Sequence, residues 1–549
     1  MSFAMQRKML GVCFLLLIGF WNESVLAWQF GSVGPSVGRP VPRKIARNQP
    51  RDVSVPLETR VAQEKEGREL FVRDWSRPES KPAPNGDGLG PMYNDVSCVA
   101  CHAQGGTGGG GDNSKNVRLL HLVGTNGVAL HSTKASGSVE KARQQVHPDF
   151  GGGFGGDATS IVLHRHERNQ TGELNDYQTW LAKRLPQELL DPTTHLPLPL
   201  SQGPPTVSPL ESAPRTFRSA GLPTRVTERN TPALFGAGLI NSIPDAAIIE
   251  QAERQKKHHA PFITGRVPQN SRGEIGRFGW RGQVATLPEF VLAACSVELG
   301  LNVPGHSQAR SVMAKRELSV QERMIQEAEE LKNNGGKKLS RFDLTDEQCN
   351  SLTNYVASLS APQSARASGL NQAKSVQRGT VVFEKIGCVV CHVPDVGPVA
   401  GLYSDLLLHD MGSNLSDPSP AIPELNERTV QVESGIAYGG PILQMELVKN
   451  STTNIHQEWR TPPLWGVASS APYLHDGRAA TLEQAIQWHG GEGQRAAEAF
   501  RSLKPDERVD LLQFLNSLTA PTNDQVVMPA RFERRNVGGN LGGGGGGFF

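Results

Sequence analysis

Cys98-Val99-Ala100-Cys101-His102 and Cys388-Val389-Val390-Cys391-His392 both read C-x-x-C-H, and the rest of the chain arranges itself around them. That spacing is the attachment signature for c-type haem. Two thiols two residues apart reach the two vinyl groups on one edge of a porphyrin, and the adjacent imidazole then sits under the iron as proximal ligand. A redox dithiol needs no histidine, and a zinc site would need the two pairs to converge without further constraint. Two covalently bound haem c groups are therefore expected, on Cys98 and Cys101 with His102, and on Cys388 and Cys391 with His392.

Working outward, each motif sits in a similar frame. Gly67-x-x-x-Phe71 precedes the first inside a helical stretch from Val61 to Trp75, and Gly379-x-x-x-Phe383 precedes the second inside Ser375 to Lys385. A small residue there lets one helix approach another closely while the aromatic reaches inward. Long after each motif comes a helix that ends alike, Thr345 to Leu359 before Ser360-Ala361-Pro362 and Asp506 to Leu518 before Thr519-Ala520-Pro521. Leu511, Leu512, Phe514, Leu515 and Leu518 form a helical apolar stripe. Between the ends, Thr231 to Gly236 matches Thr461 to Gly466, and Trp280 to Leu287 matches His475 to Leu482. Such repetition fixes a duplicated architecture: a haem domain over residues 57–362, a linker at 363–371, and a second haem domain over 372–521. The first is about twice as long and must carry insertions, expected at Gly105 to Gly111, Leu119 to Pro214, and a charged helix from Ser319 to Asn333 opened by Ser319 and Glu322 at capping-box spacing.

The 549 residues include 59 Gly and 38 Pro, so much backbone lies in loops. A net charge of +2 implies neither nucleic acid nor an acidic partner. Arg7 and Lys8 precede an apolar run from Met9 to Trp21, followed by Val25-Leu26-Ala27. Residues 1–27 are thus expected to be a signal peptide, cleaved on export to the periplasm or another extracytoplasmic space. An uncleaved anchor is the alternative; no later stretch is long and apolar enough for a stable membrane span. Residues 28–56 are expected to be a disordered linker, and 522–549 a Gly-rich disordered tail. Cys295 and Cys349 remain over, either as a disulfide or as buried thiols.

As an ordered set, five segments resemble the di-haem c-type oxidoreductases, a peroxidase-like and thiol-oxidoreductase-like family related to bacterial di-haem cytochrome c peroxidase and the methylamine dehydrogenase maturation enzyme. The segments are Leu234 to Ile240, Gly276 to Trp280, Leu406 to Gly412, Glu458 to Pro463, and His475-Asp476-Gly477-Arg478 through His489-Gly490-Gly491-Glu492. The resemblance implies a mainly α chain of two tandem cytochrome c-like domains, the first with large loop and strand insertions. In the relatives, the sixth ligand of the C-terminal haem follows a His-x-Gly segment by fourteen positions, and that count from His475 arrives at His489. The relatives have Met or Tyr there, so this chain departs toward a haem held by two histidines, His392 and His489, and imidazole in place of thioether lowers the reduction potential. Met411 is a rival ligand, and a surface histidine before a Gly-Gly turn is the plain alternative.

At the N-terminal haem the resemblance implies an open iron on His102. Glu298, in Val297-Glu298-Leu299-Gly300, takes the position of the family's acid-base carboxylate, and Trp280 that of the tryptophan bridging the haems. Without the resemblance, Glu298 reads as a solvated glutamate near a helix end and Trp280 as a core aromatic. The expected activity is reduction of peroxide, or oxidation of a substrate, with electrons from a small donor such as a cytochrome or cupredoxin. A di-haem electron carrier without catalysis is the alternative, and oxidation of an organic or thiol substrate a third. Family members often dimerise, but no interface is specified by the sequence. His164, His166, His258, His259 and His409 read singly as structural or exposed residues.

Overall fold

The computed structural model describes residues 56–77, 86, 88–122, 137–150, 160–168, 174–186, 216–270, 272–306, 308–309, 311–312, 342–362, 369–417 and 456–521. Eight helices matter below: α1 (Leu57–Val72), α2 (Gly137–Val146), α3 (Tyr177–Ala182), α4 (Leu287–Glu298), α5 (Asp346–Ser358), α6 (Leu370–Lys385), α7 (Leu482–Gln487) and α8 (Pro505–Asn516). The terminal helices of each repeat pack as pairs, α1 on α5 and α6 on α8. Glycine makes both approaches close. A Cβ on Gly67 would fall 2.0 Å from the Ser351 carbonyl oxygen, and one on Gly379 would fall 2.0 Å from that of Asp510. Beside each glycine an aromatic closes the seam: Phe71 lies 5.4 Å from Tyr355, and Phe383 lies 5.2 Å from Phe514, centroid to centroid. Asp510 is buried against this seam and takes both Arg378 and the Ser375 hydroxyl from α6. A buried carboxylate needs such partners.

The repeat extends into the loops. Gly236 and Gly466 both adopt left-handed backbone (φ +70° and +75°), each opening a short helical turn after its Thr-Pro segment. The bridge Phe278↔Val284 recurs as Tyr473↔Ala479, every position displaced by the same 195 residues. After these hairpins Thr286 and Thr481 cap α4 and α7 through their hydroxyls, which accept from the Glu289 and Gln484 amides. The pairing of Trp280–Leu287 with His475–Leu482 is therefore a pairing of like structures.

The strands expected in the insertion into the first repeat are short, and four of them join into one sheet. Strands β1 (Val117–Leu122), β2 (Ser160–Leu163), β3 (Thr216–Ser219) and β4 (Leu222–Arg229) form an antiparallel sheet in the order β2-β1-β4-β3. In it Leu120 pairs with both Ile161 and Val226. Branched side chains favour the pleat, and one face buries Leu120, Leu122, Ile161, Leu163 and Val226 against Val146 and Phe150 and the α3 residues Tyr177 and Leu181. Each such side chain contributes roughly 1.5–3 kcal/mol on burial, so the insert has an apolar core of its own.

Residues 1–55, the Ser319–Asn333 helix, most of the 363–371 linker and residues 522–549 lie outside the described residues. No helix among the described residues is long and apolar enough to cross a membrane.

Candidate functional site

In the first repeat, Cys98–Cys101 forms one helical turn, and the His102 amide donates to the Cys98 carbonyl at 3.0 Å. The His102 ring lies 6.4 Å from Phe71, and its Nδ1–H donates to the Gly109 carbonyl at 3.2 Å. Burial pushes the Cys98 thiol up to about 12 and His102 down to about 4.

The second repeat builds the same arrangement from different residues. The His392 amide donates to the Cys388 carbonyl at 2.9 Å, Phe383 lies 6.5 Å from the ring, and Nδ1–H donates to the Tyr403 carbonyl at 2.9 Å. Burial again raises Cys388 to about 12 and lowers His392 to about 4. An imidazole whose Nδ1–H is given to a carbonyl keeps its lone pair on Nε2, the form and tautomer in which histidine binds iron. Two neutral thiols and one neutral imidazole on a shared turn, twice over, fit a haem at each motif.

The other expected site residues divide between the two motifs. Glu298 ends α4; its carbonyl accepts from the Asn94 amide at 2.7 Å, and its Oε2 accepts from Asn94 Nδ2 at 2.7 Å. Asn94 is itself fixed, since its Oδ1 accepts from the Arg165 amide at 3.0 Å. Burial, then Asp95, and more weakly Glu298, raise the Cys101 thiol, so the Glu298 carboxylate lies within electrostatic reach of the first motif. Trp280 donates from Nε1 to the Asn230 carbonyl at 2.8 Å. Asn230 in turn binds Gly111 and Asn116 in the first repeat and, through its amide, the His475 carbonyl in the second. The Trp280 indole packs against the buried cluster of Leu415, Trp459, Ala479, Ala485 and Trp488. It therefore stands where the two repeats meet.

His489 follows α7, and its Nδ1–H donates to the Ala485 carbonyl at 2.8 Å. After burial and the Tyr403 hydrogen bond, His489 is the next influence on His392, so the two imidazoles lie within electrostatic reach of each other. Met411 is adjacent: a Cβ on Gly493 would lie 3.1 Å from His489 Cβ and 3.4 Å from Met411 Cε. Cys295 and Cys349 are buried free thiols, both pushed up by burial.

Two groupings were not anticipated from the sequence. His409 is held between Asp405 and Glu492 beside Cys391. Burial opposes its charge, but Cys391 and Asp405 outweigh that and hold it well above the ordinary histidine range. The spacing of Asp405 and His409 was visible in the sequence; the partnership with Glu492, 83 residues on, had no local signal. The second grouping surrounds Asp417, which pairs with Arg229 and lies 3.9 Å from His475. His475 stacks on Trp459 at 3.6 Å, and Arg281 lies 4.1 Å from the centroid of the same indole.

The family described as "Di-haem oxidoreductase, putative peroxidase" matches residues 51–155 and 449–518. Those ranges hold the first C-x-x-C-H motif, His475 and His489. Cytochrome-c peroxidase IdrP1 of Pseudomonas sp. (strain SCT) is 26% identical over 181 residues, 29% of this chain and 44% of that protein. Hydrazine synthase subunit gamma of Kuenenia stuttgartiensis is 29% identical over 151 residues, 26% of this chain and 40% of that protein. The chain thus spans less than half the length of these curated relatives. Among solved structures, a MauG-like protein associated with microbial copper homeostasis is 16% identical, with 55% of this chain and 78% of that one covered, at a TM-score of 0.27.

Proposed function

We propose, from the premise that the chain resembles the di-haem oxidoreductase family, that it is an exported di-haem c-type cytochrome with peroxidase-like activity of the EC 1.11.1 type. In this reading two cytochrome c-like domains stand in tandem over residues 57–362 and 372–521. Haem is attached through Cys98 and Cys101 and through Cys388 and Cys391, with His102 and His392 as proximal ligands.

One observation carries the functional reading. The hairpins displaced by 195 residues lead into α4 and α7, and the same displacement sets His489 in the second repeat against Ala294 in the first. His392 and His489 would together hold the second haem, and two imidazoles would suit it to electron transfer. Ala294, at the offset position within α4, has no donor atom, so the haem that His102 would hold would be left with a place for a substrate. Both positions are half-buried, as residues facing a shared cleft would be.

Haem supplies one-electron redox chemistry and, where a position is open, a place for peroxide to bind. The protein's residues do the rest. Reduction of hydrogen peroxide to two waters takes two electrons and two protons, and the O–O bond breaks only if the far oxygen leaves protonated. Glu298, with Oε2 anchored by Asn94, takes a proton from the near oxygen and returns it to the far one. Trp280 lies on the route between the repeats, and a small cytochrome or cupredoxin supplies the electrons at the second haem.

The test begins with the resting holoprotein, which should show the added mass of two haems and one high-spin and one low-spin iron. Peroxide should be turned over with a reduced small cytochrome. Glu298→Gln should lower kcat by about 10²- to 10⁴-fold with both haems retained. Two purely low-spin irons, indifferent to cyanide and peroxide, would instead establish a non-enzymatic electron carrier.

A further inference from the structure

His409 lies in a family-like segment and the proposed function gives it no work, yet its side chain is closely held beside the second motif. It sits on strand β5 (Leu408–Asp410), paired with β6 (Glu458–Arg460) so that His409 stands opposite Trp459. Its side chain is 3% exposed, Nε2 lies 2.9 Å from Asp405 Oδ2, and Nδ1 lies 2.5 Å from Glu492 Oε2. A carboxylate on each ring nitrogen requires an N–H on each, so the ring is an imidazolium with no lone pair to give to a metal or an iron. Charge-assisted bonds of this kind are short and strong, and breaking one inside a protein leaves a buried carboxylate without its partner.

The two carboxylates belong to different walls of the second haem site. Asp405 is joined to the attachment motif: its amide donates to the Cys391 carbonyl at 2.9 Å, and Gln255 Nε2 reaches both Asp405 Oδ2 at 2.6 Å and the Val390 carbonyl at 2.9 Å. Glu492 is three residues beyond His489. Its segment is pressed against the end of β5, where a Cβ on Gly490 would lie 2.8 Å from the Met411 carbonyl oxygen and one on Gly491 2.2 Å from that of Asp410. His409 therefore spans from the proximal segment to the segment that carries the second imidazole.

We infer that His409 is a positioning residue, a charged strut that fastens the His489 segment to the Cys388–His392 segment and so keeps His489 within ligating distance of the iron held by His392. The inference rests on the reading of His489 as that ligand. It gives the otherwise unassigned Asp405-x-x-x-His409 and Glu492 one shared task. Loss of a residue that orients an iron ligand weakens ligation by about 10- to 100-fold.

The experiment uses holoprotein carrying two haems by mass, with the spin state of each iron read by optical and EPR spectra. His409→Ala should convert the second haem from low-spin to high-spin, cutting the low-spin fraction about tenfold, and added free imidazole should restore it. Glu492→Gln, whose amide oxygen can still accept from Nδ1–H, should keep most of the low-spin signal. If His409→Ala does not fold, Glu492→Ala severs the same link from its more exposed end and should give the same conversion. A His409→Ala or Glu492→Ala protein with two haems and an undiminished low-spin signal overturns the strut. His489→Ala separates the two levels: an unchanged spectrum there overturns the ligand assignment, and the strut with it. A change in His489→Ala without one in either strut variant overturns the strut alone.

Discussion

At position 294 the first repeat has a methyl group where the second, 195 residues on, has an imidazole. Ala294 stands in the first repeat as His489 stands in the second, on the segment that follows a Thr-capped helix start, and both are half-buried. If the open face of the first iron depends on that methyl group, Ala294→His should close it. The variant should retain two haems, show a second low-spin iron, bind cyanide slowly or not at all, and lose peroxide turnover to background. A variant that keeps its high-spin signal and its turnover would mean that the first haem owes its open position to something other than Ala294. His489 could be proposed from the sequence because the resemblance supplies a distance from His475 and an imidazole has visible chemistry. Ala294 could not, because alanine announces nothing until the hairpins on either side of the repeat are superposed.

Between elements, the closeness of the paired helices is the property the haem frames depend on, and it rests on two glycines. Gly379→Ala would place a methyl group 2.0 Å from the Asp510 carbonyl oxygen, forcing α6 and α8 apart. Overpacking of this kind costs roughly 1–3 kcal/mol, so a thermal melt of the holoprotein should shift down by several degrees. Gly369→Ala, at the start of the same helix with nothing within 4 Å of the added atom, is the control and should melt as the wild type does. Equal melting of the two variants would show that the seam has slack. The Gly-x-x-x-Phe spacing and the like endings of α5 and α8 let the sequence announce these pairs, since local pattern and packing agree. The sheet was harder to see. Val117–Leu122 pairs with Leu222–Arg229 across a hundred residues of chain, and neither strand holds a turn signal pointing to the other. Strands in the insert were expected but their pairing was not, and the link from His409 to Glu492 was missed for the same reason.

For the molecule as a whole, the insert and the haem frames should part company in acid. His121, His147 and His164 are all buried in or beside the sheet, and burial lowers them to about 3, about 3 and about 4. Their hydrogen bonds use the neutral ring. His147 donates from Nε2 to the Tyr177 hydroxyl at 3.1 Å and accepts at Nδ1 from the Asp149 amide at 3.2 Å, and His164 donates from Nε2 to the Val297 carbonyl at 3.1 Å. In the unfolded insert each would titrate near its ordinary value of about 6.5. Between that value and the lowered one the unfolded state binds more protons, so stability is full above about pH 6.5 and falls as the pH drops toward 3 to 4, by up to about 1.4 kcal/mol per pH unit for each histidine. Hydrogen exchange followed by mass spectrometry at pH 7 and pH 4.5, corrected for intrinsic rates, should therefore show β1, β2 and β4 losing protection. The α6–α8 pair, whose two helices carry no histidine in their own sequences, should keep more of its own. His147→Gln, which can still donate and accept but cannot take up the proton, should make the loss in the sheet shallower. Protection of the sheet that is the same at both pH values, or a His147→Gln protein that opens just as far, would show that the buried imidazoles do not govern the acid stability of the insert.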